Sequence, residues 1–188
     1  DNVSLYNNLE DRVRERTEEI EKNYNDTRLL GEISKELSSS LSVETIIASV
    51  YKNIHQLMKA DSFGIGIYNS KKQTIDFNGF RENQTVLDPI NIDVNDQNRL
   101  GAICFKQKTD IIINDFIAEH SKYIKLERQP IRGNDNMSVI YLPLISKNET
   151  IGVITVQSLD KDSYSEYQVN ILQNLAVSIG IALDNAAL

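Results

Sequence analysis

Cys104, His55 and His120 are the side chains of this 188-residue sequence best suited to bind a soft metal, act as a thiol nucleophile or carry a proton near neutral pH. A single cysteine forms no internal disulfide and builds no multi-cysteine zinc site. His55 follows Ile54 and precedes Leu57 on an amphipathic pattern, where a polar-face histidine is ordinary. His120 falls in a long polar connection, where an imidazole could ligate haem iron or sense pH, although a solvated side chain is the commoner outcome. Nothing accompanies these residues: there is no Gly-rich phosphate loop, no His pair at ligand spacing and no nucleophile elbow, and Gly64 and Gly66 sit in a strand pattern without the rest of a nucleotide motif. Neither an enzyme nor a metal site is expected, and the sequence names no cofactor.

The elements that would position these residues are legible from periodicity. From Leu5 to about Leu41 the chain has no proline and one glycine, with apolar residues at Leu9, Val13, Ile20, Leu30, Ile33 and Leu37 along one helical stripe. With Val13 and Ile20 at a and Leu9 and Leu30 at d, the seam is interrupted by Arg16 and Asn23 at other d positions. The flanks carry charges of both signs. Such a helix either docks on its own domain or, the reading preferred here, pairs with a second copy.

Ser42 caps a second helix with apolar residues from Val43 to Met58 at helical spacing. Phe63 to Tyr68 and Thr74 to Phe80 read as a hairpin around the turn Asn69 to Lys72. Arg81 to Val94, with Pro89, reads as a loop or irregular edge, followed by a helix capped by Asn95 or Asp96 and running to about Lys106. Asp110 to Ile113 is a short strand. Asn114 to Asn136 is a long connection with a short helix around Glu119 to Glu127, broken by Pro130 and Gly133. Val139 to Ile145, a turn over Ser146 to Thr150, and Ile151 to Gln157 form a second hairpin, and Ser165 with Gln168 makes a capping box for the last helix. That helix has two apolar stripes. Val169, Leu172, Ala176, Ile179 and Leu183 would cover the sheet, and Ile171, Leu175, Ala182 and Ala186 would meet a partner helix.

Composition bounds the partners. The chain is 40% hydrophobic and 25% charged with a net charge of −7, enough for one ordinary core plus an extension. No Lys/Arg run exceeds Lys71 and Lys72, so neither nucleic acid nor an anionic membrane is an expected partner. No apolar run approaches the roughly 18 residues of a membrane span. A cytoplasmic, reducing compartment is expected, including the cytoplasmic part of a membrane-anchored protein. Because the sequence opens with Asp1 and ends within a helical pattern, it reads as a piece of a longer protein.

The stretches Ser138-Val-Ile-Tyr-Leu-Pro-Leu144, Ile151-Gly-Val-Ile-Thr-Val-Gln-Ser158 and Ile181-Ala-Leu-Asp-Asn-Ala186 resemble the late strands and terminal helix of the GAF domain. Leu100-Gly-Ala-Ile-Cys-Phe up to Asn114-Asp115 is similar to that family's helix, turn and strand. The segment Leu9 to Ile20 looks like the signalling helices of bacterial sensor kinases, cyclases and phosphatases. The resemblance implies an α+β fold with an antiparallel sheet of about five to six strands. Terminal helices would pack on one face and a helix and loop layer would enclose a pocket on the other, with residues 1–30 as a signalling coiled coil and 31–188 as the GAF domain.

Against the cyclic-nucleotide-binding members of the family, Lys161 matches, whereas Asp160, Tyr164, Gln168 and Val169 depart from the pattern, so Asp160 to Ser163 reads as a turn. Bilin-carrying members use a cysteine commonly followed by histidine, but Phe105 follows Cys104 here, and the reductase branch needs several cysteines. The resemblance therefore implies a sensory module of a multidomain signalling protein, homodimeric through Leu9, Val13, Ile20 and Leu30 and through Ile171, Leu175, Ala182 and Ala186. Phe80, Ile103, Cys104, Asp115, His120, Tyr141, Thr155 and Gln157 are candidate pocket walls. The pocket either holds a small molecule or is filled by apolar residues such as Phe105 and Ile113, leaving a dimerisation and relay module.

Overall fold

The computed structural model describes residues 1–125 and 135–187. Helices α1 (Asn2–Ser39), α2 (Val43–Ile54), α3 (Leu100–Gln107), α4 (Phe116–Glu119) and α5 (Glu166–Ala186) frame an antiparallel sheet. Its strands are β1 (Ser62–Asn69), β2 (Thr74–Phe77), β3 (Arg81–Glu82), β4 (Thr85–Val86), β5 (Ile90–Asp93), β6 (Ile111–Ile113), β7 (Ser138–Ser146) and β8 (Glu149–Ser158). Their order is β4-β3-β1-β8-β7-β6, and β2 joins β1 to β5. The expected α+β architecture is present, with eight strands instead of five or six.

Alternation along the central strands divides the core in two. Phe63 and Ile65 of β1, Ile140, Leu142 and Leu144 of β7, and Ile154 and Val156 of β8 face α1, α2 and α5 in one cluster. Val139 and Tyr141 of β7, Val153 of β8, and Ile75 and Phe77 of β2 face α3 in the other. The capping expected for α2 and α5 is present. Thr45 N–H donates to Ser42 Oγ at the start of α2, and the Ser165–Gln168 box opens α5. The second hairpin closes on only Lys147 and Asn148, both at positive φ, matching the twist of its strands.

One open expectation is resolved and two are corrected. Of the two readings of Arg81 to Val94, the irregular edge is the one found: β3 and β4 form a short hairpin around Asn83 and Gln84, both at positive φ, and β5 pairs with β2. Helix α3 starts at Leu100, not near Asn95, because Asp93 Oδ1 accepts from Asn95 N–H and Asp96 Oδ1 from Asn98 N–H, so these carboxylates hold turns where a helix start was expected. The short helix expected from Glu119 instead starts at Phe116, capped by Asp115, and continues as a 3₁₀ turn over His120–Lys122. The remainder of that expectation, including Pro130 and Gly133, lies outside the described residues.

Helix α1 extends unbroken through Gly31 to Ser39, and residues 1–25 are exposed on every face. Its later half packs on the domain through the buried Ile33 and Leu37. No helix among the described residues is long and apolar enough to cross a membrane.

Candidate functional site: the two faces of helix α3

The sheet face opposite the terminal helices is floored by Gly64 and Gly66 of β1, where side chains from neighbouring elements close in. A Cβ at Gly64 would lie 2.4 Å from Phe80 Cδ2, and one at Gly66 would lie 2.5 Å from Ile75 Cγ2 and 2.6 Å from Phe77 Cζ. Phe77 and Phe80 meet edge to face at 5.9 Å. Above them, Gly101 of α3 sits against Tyr141, and Phe105 packs its ring on Tyr68 at 4.7 Å. The space between α3 and the sheet is thus occupied by the protein's own side chains.

A polar ledge borders this filled space. Gln157 Nε2 donates to Thr155 Oγ1 at 2.9 Å and to the Tyr141 hydroxyl at 3.3 Å. Asn136 Nδ2 donates to Gln157 Oε1 at 2.9 Å and to Ser62 Oγ at 3.0 Å, while Asn136 Oδ1 is buried with no hydrogen-bond partner among the described residues. Of the expected pocket walls, the structure brings Phe80, Tyr141, Thr155 and Gln157 to this face. Ser62 and Asn136 belong to the ledge and were missed, since only the pairing of β1 with β8 places a β1 serine beside Gln157.

The remaining candidates fall elsewhere. Cys104 is wholly buried, and burial, aided by Asp110, pushes its thiol pKa well above the usual range, which describes a small core residue and not a reactive one. Asp115 caps α4 through Ala118 N–H and pairs with Lys161 Nζ at 3.3 Å. His120 Nδ1 lies 2.7 Å from the carbonyl of Phe116, and its ring stacks on the Phe116 ring at 5.2 Å. An Nδ1–H that donates to this carbonyl closes α4 locally, and no described contact links His120 to the ledge. Asn114, next to the cap, accepts from Tyr164 N–H and donates to its carbonyl, tying the end of β6 to the start of α5. Asp160 receives Lys59 in an ion pair, and its carbonyl accepts from Ser138 Oγ at 2.7 Å. The segment compared with cyclic-nucleotide sites is therefore a tightly bonded turn. Among the described residues no group of three or more His, Cys, Asp or Glu could hold a metal ion.

Open volume lies on the other side of α3. A groove of about 530 Å³ is floored by Val94, Ala102 and Ile103 and edged by Lys106, Tyr123 and Lys125. Because Gly101 and Phe105 face the sheet, the helical rotation of 100° per residue turns Ala102, Ile103 and Lys106 away from it. Ile103, expected in a pocket wall, lines this outer groove.

A family model described as the GAF domain matches residues 40–184. The chain belongs to the GAF domain family. This GAF domain is 24% identical over 163 residues to the formate hydrogenlyase transcriptional activator of Escherichia coli (strain K12), a match covering 85% of the chain and 23% of that protein. The chain thus spans less than a quarter of that relative's length. Among solved structures it resembles the GAF domain from an Acinetobacter phosphoenolpyruvate-protein phosphotransferase, with a TM-score of 0.70 at 16% identity, covering 86% of this chain and 93% of that one. It also resembles the free methionine-R-sulfoxide reductase from Neisseria meningitidis in complex with its substrate, with a TM-score of 0.66 at 14% identity, covering 86% and 90%. At these identities the likeness is one of fold, and the fold is shared by regulatory modules and by an enzyme.

The expected dimer surfaces separate as well. Leu9, Val13 and Ile20 are exposed on α1. Leu30 and Ala186 instead pack partly buried against the helix-side cluster, and Ile171, Leu175 and Ala182 are buried within it, because α1 and α2 of the same chain already cover that stripe of α5. This corrects the assignment of Ile171, Leu175 and Ala182 to a partner helix. Val177 and Ile181, one turn apart on α5, are exposed apolar residues.

Proposed function

We propose that this GAF domain is the regulatory and relay module of a multidomain bacterial signalling protein, paired in parallel through α1, and that displacement of α1 passes to α5 and on to an effector. What carries this reading is the way the two terminal helices meet. Asp26 of α1 accepts from the Tyr167 hydroxyl, and further along both helices Ser34 and Ser178 share a hydrogen bond at 3.0 Å. The helices therefore run in the same direction, and the stalk enters at the end where α5 begins. The same heptad seam that holds Leu30 and Leu37 on the domain continues outward as Ile20, Val13 and Leu9, exposed and unpartnered. A second copy of the same helix is the partner that would cover a seam of this period.

The effector belongs to the class that such modules serve: a sensor kinase of a two-component system, a nucleotide cyclase, a phosphatase or, as with the relative named above, a transcriptional activator. The filled space between α3 and the sheet favours relay through packed helices over a ligand held there, and the buried thiol of Cys104 argues against catalysis.

Native mass spectrometry of the whole chain tests the reading. A dimer is expected, and Val13→Glu with Ile20→Glu should yield a monomer with unchanged domain melting. A monomeric wild type, or a double variant that stays dimeric, would overturn pairing through α1.

A further inference from the structure

We propose that the groove on the outer face of α3 binds a small organic anion: a short apolar body over Val94, Ala102 and Ile103, with a carboxylate drawn to Lys106 and Lys125. This goes beyond the relay reading and does not depend on it. A volume of about 530 Å³ falls in the range of small-molecule sites. Its floor is apolar and buried, unlike the rim.

Charge selects the ligand. In a chain of net charge −7, Lys59, Lys147 and Lys161 each sit beside a carboxylate. Lys106 and Lys125, by contrast, have no ion-pair partner among the described residues, and both edge the same concavity. The carboxylate among the described lining residues is Asp96, which already accepts from Asn98 N–H and lies 3.7 Å from Arg99 Nε. Two ammonium groups close to a buried apolar floor attract an anion that can also lose apolar surface to that floor. The side-chain amides of Asn95, Gln97, Asn98 and Gln107 complete the lining with neutral donors that can orient a carboxylate. Among the described residues the cations that line the groove are lysines and not arginines, so they present point charges in place of the two-pronged geometry that favours phosphate.

The test is an amide NMR titration of the whole chain with sodium hexanoate, alongside hexan-1-ol as the neutral counterpart and inorganic phosphate as the anion without an apolar body. Saturable shifts are expected with hexanoate at Asn95 to Asn98 and at Ala102, Ile103, Lys106 and Gln107. The dissociation constant should rise about fivefold in Lys106→Gln with Lys125→Gln, since exposed charges each contribute modestly, and stay constant in Lys71→Gln with Lys72→Gln. Equal binding of hexan-1-ol or of phosphate would overturn the proposal. So would shifts centred on Thr155 and Gln157, an unchanged constant in the Lys106 and Lys125 double variant, or no saturation by about 20 mM, a weaker affinity than a formed site gives.

Discussion

The hydroxyl of Tyr167 donates to Asp26 Oδ2 at 2.8 Å, joining the first turn of α5 to the stretch where α1 leaves the domain. Lys22 lies over the same ring, 5.8 Å from its centroid, so the contact combines a hydrogen bond with a cation above an aromatic face.

This clasp should respond to alkali. Desolvation, followed by the bond to Asp26, pushes the Tyr167 phenol up to about 12. The fold therefore favours the protonated phenol. The stabilisation is complete below the ordinary tyrosine value near 10 and is lost as pH climbs from about 10 to about 12. Tyr167→Phe should lower stability by less than about 1 kcal/mol near neutral pH, with the difference vanishing toward pH 12. Melting curves of both proteins across that window check this, and a deficit that ignores pH would assign it to packing instead.

Cys104 should be inert in the native protein. The thiolate is the reactive form, and burial first, then Asp110, disfavours it. Iodoacetamide at pH 8 should modify Cys104 no faster than the protein unfolds, and rapid labelling once denaturant is added would show the reagent itself to be competent. Native labelling on the timescale of a free thiol would mean that α3 opens readily from the sheet.

Much of this architecture could be read in advance wherever one local rule decided it. Ser165 and Gln168 announce α5 because capping involves neighbours in sequence, and the spacing from Val43 to Met58 announces α2 because only one face is apolar. The misses have physical causes. Asn83 and Gln84 adopt positive φ without glycine, so the β3–β4 hairpin lacks the usual turn signature. Asn95 and Asp96 look like helix caps, but the carboxylates of Asp93 and Asp96 bond to loop amides there. The second stripe of α5 shows that something covers it without saying whether the cover is α1 of the same chain or of another. The ledge joins Asn136 to Ser62 across the fold, and no spacing rule reaches that far.

Two helical glycines should answer differently to one substitution. A Cβ at Gly31 meets nothing within 4 Å, so Gly31→Ala should stabilise by about 0.5–1 kcal/mol through helix propensity alone. At Gly180 the same change places Cβ 2.6 Å from the carbonyl oxygen of Ile145, a backbone atom next to the irregularity in the β7–β8 register. An overpacking cost of about 1–3 kcal/mol should then exceed the propensity gain of about 1 kcal/mol, and Gly180→Ala should destabilise. Urea titrations decide it. A stabilised Gly180→Ala protein would show that α5 can shift on β7 at little cost.

The stalk and the domain should also be separable in stability. Residues 1–25 are exposed throughout, with Lys22 over the Tyr167 ring as a surface contact, so they contribute little buried surface to the fold of a single chain, while Ile33 and Leu37 lie in its core. Deleting residues 1–24 should leave the melting temperature of an isolated protomer nearly unchanged and abolish pairing. Leu37→Ala should cost about 2–5 kcal/mol, because the cavity forms between α1 and the rest of the helix-side cluster. The two results together locate the boundary between signal carrier and folded body within α1, at the stretch where Asp26 meets Tyr167. If the truncated chain melted far below the full one in dilute, monomeric solution, the stalk would be packing on its own domain in a way the exposed seam does not suggest, and α1 would be a structural element along its whole length.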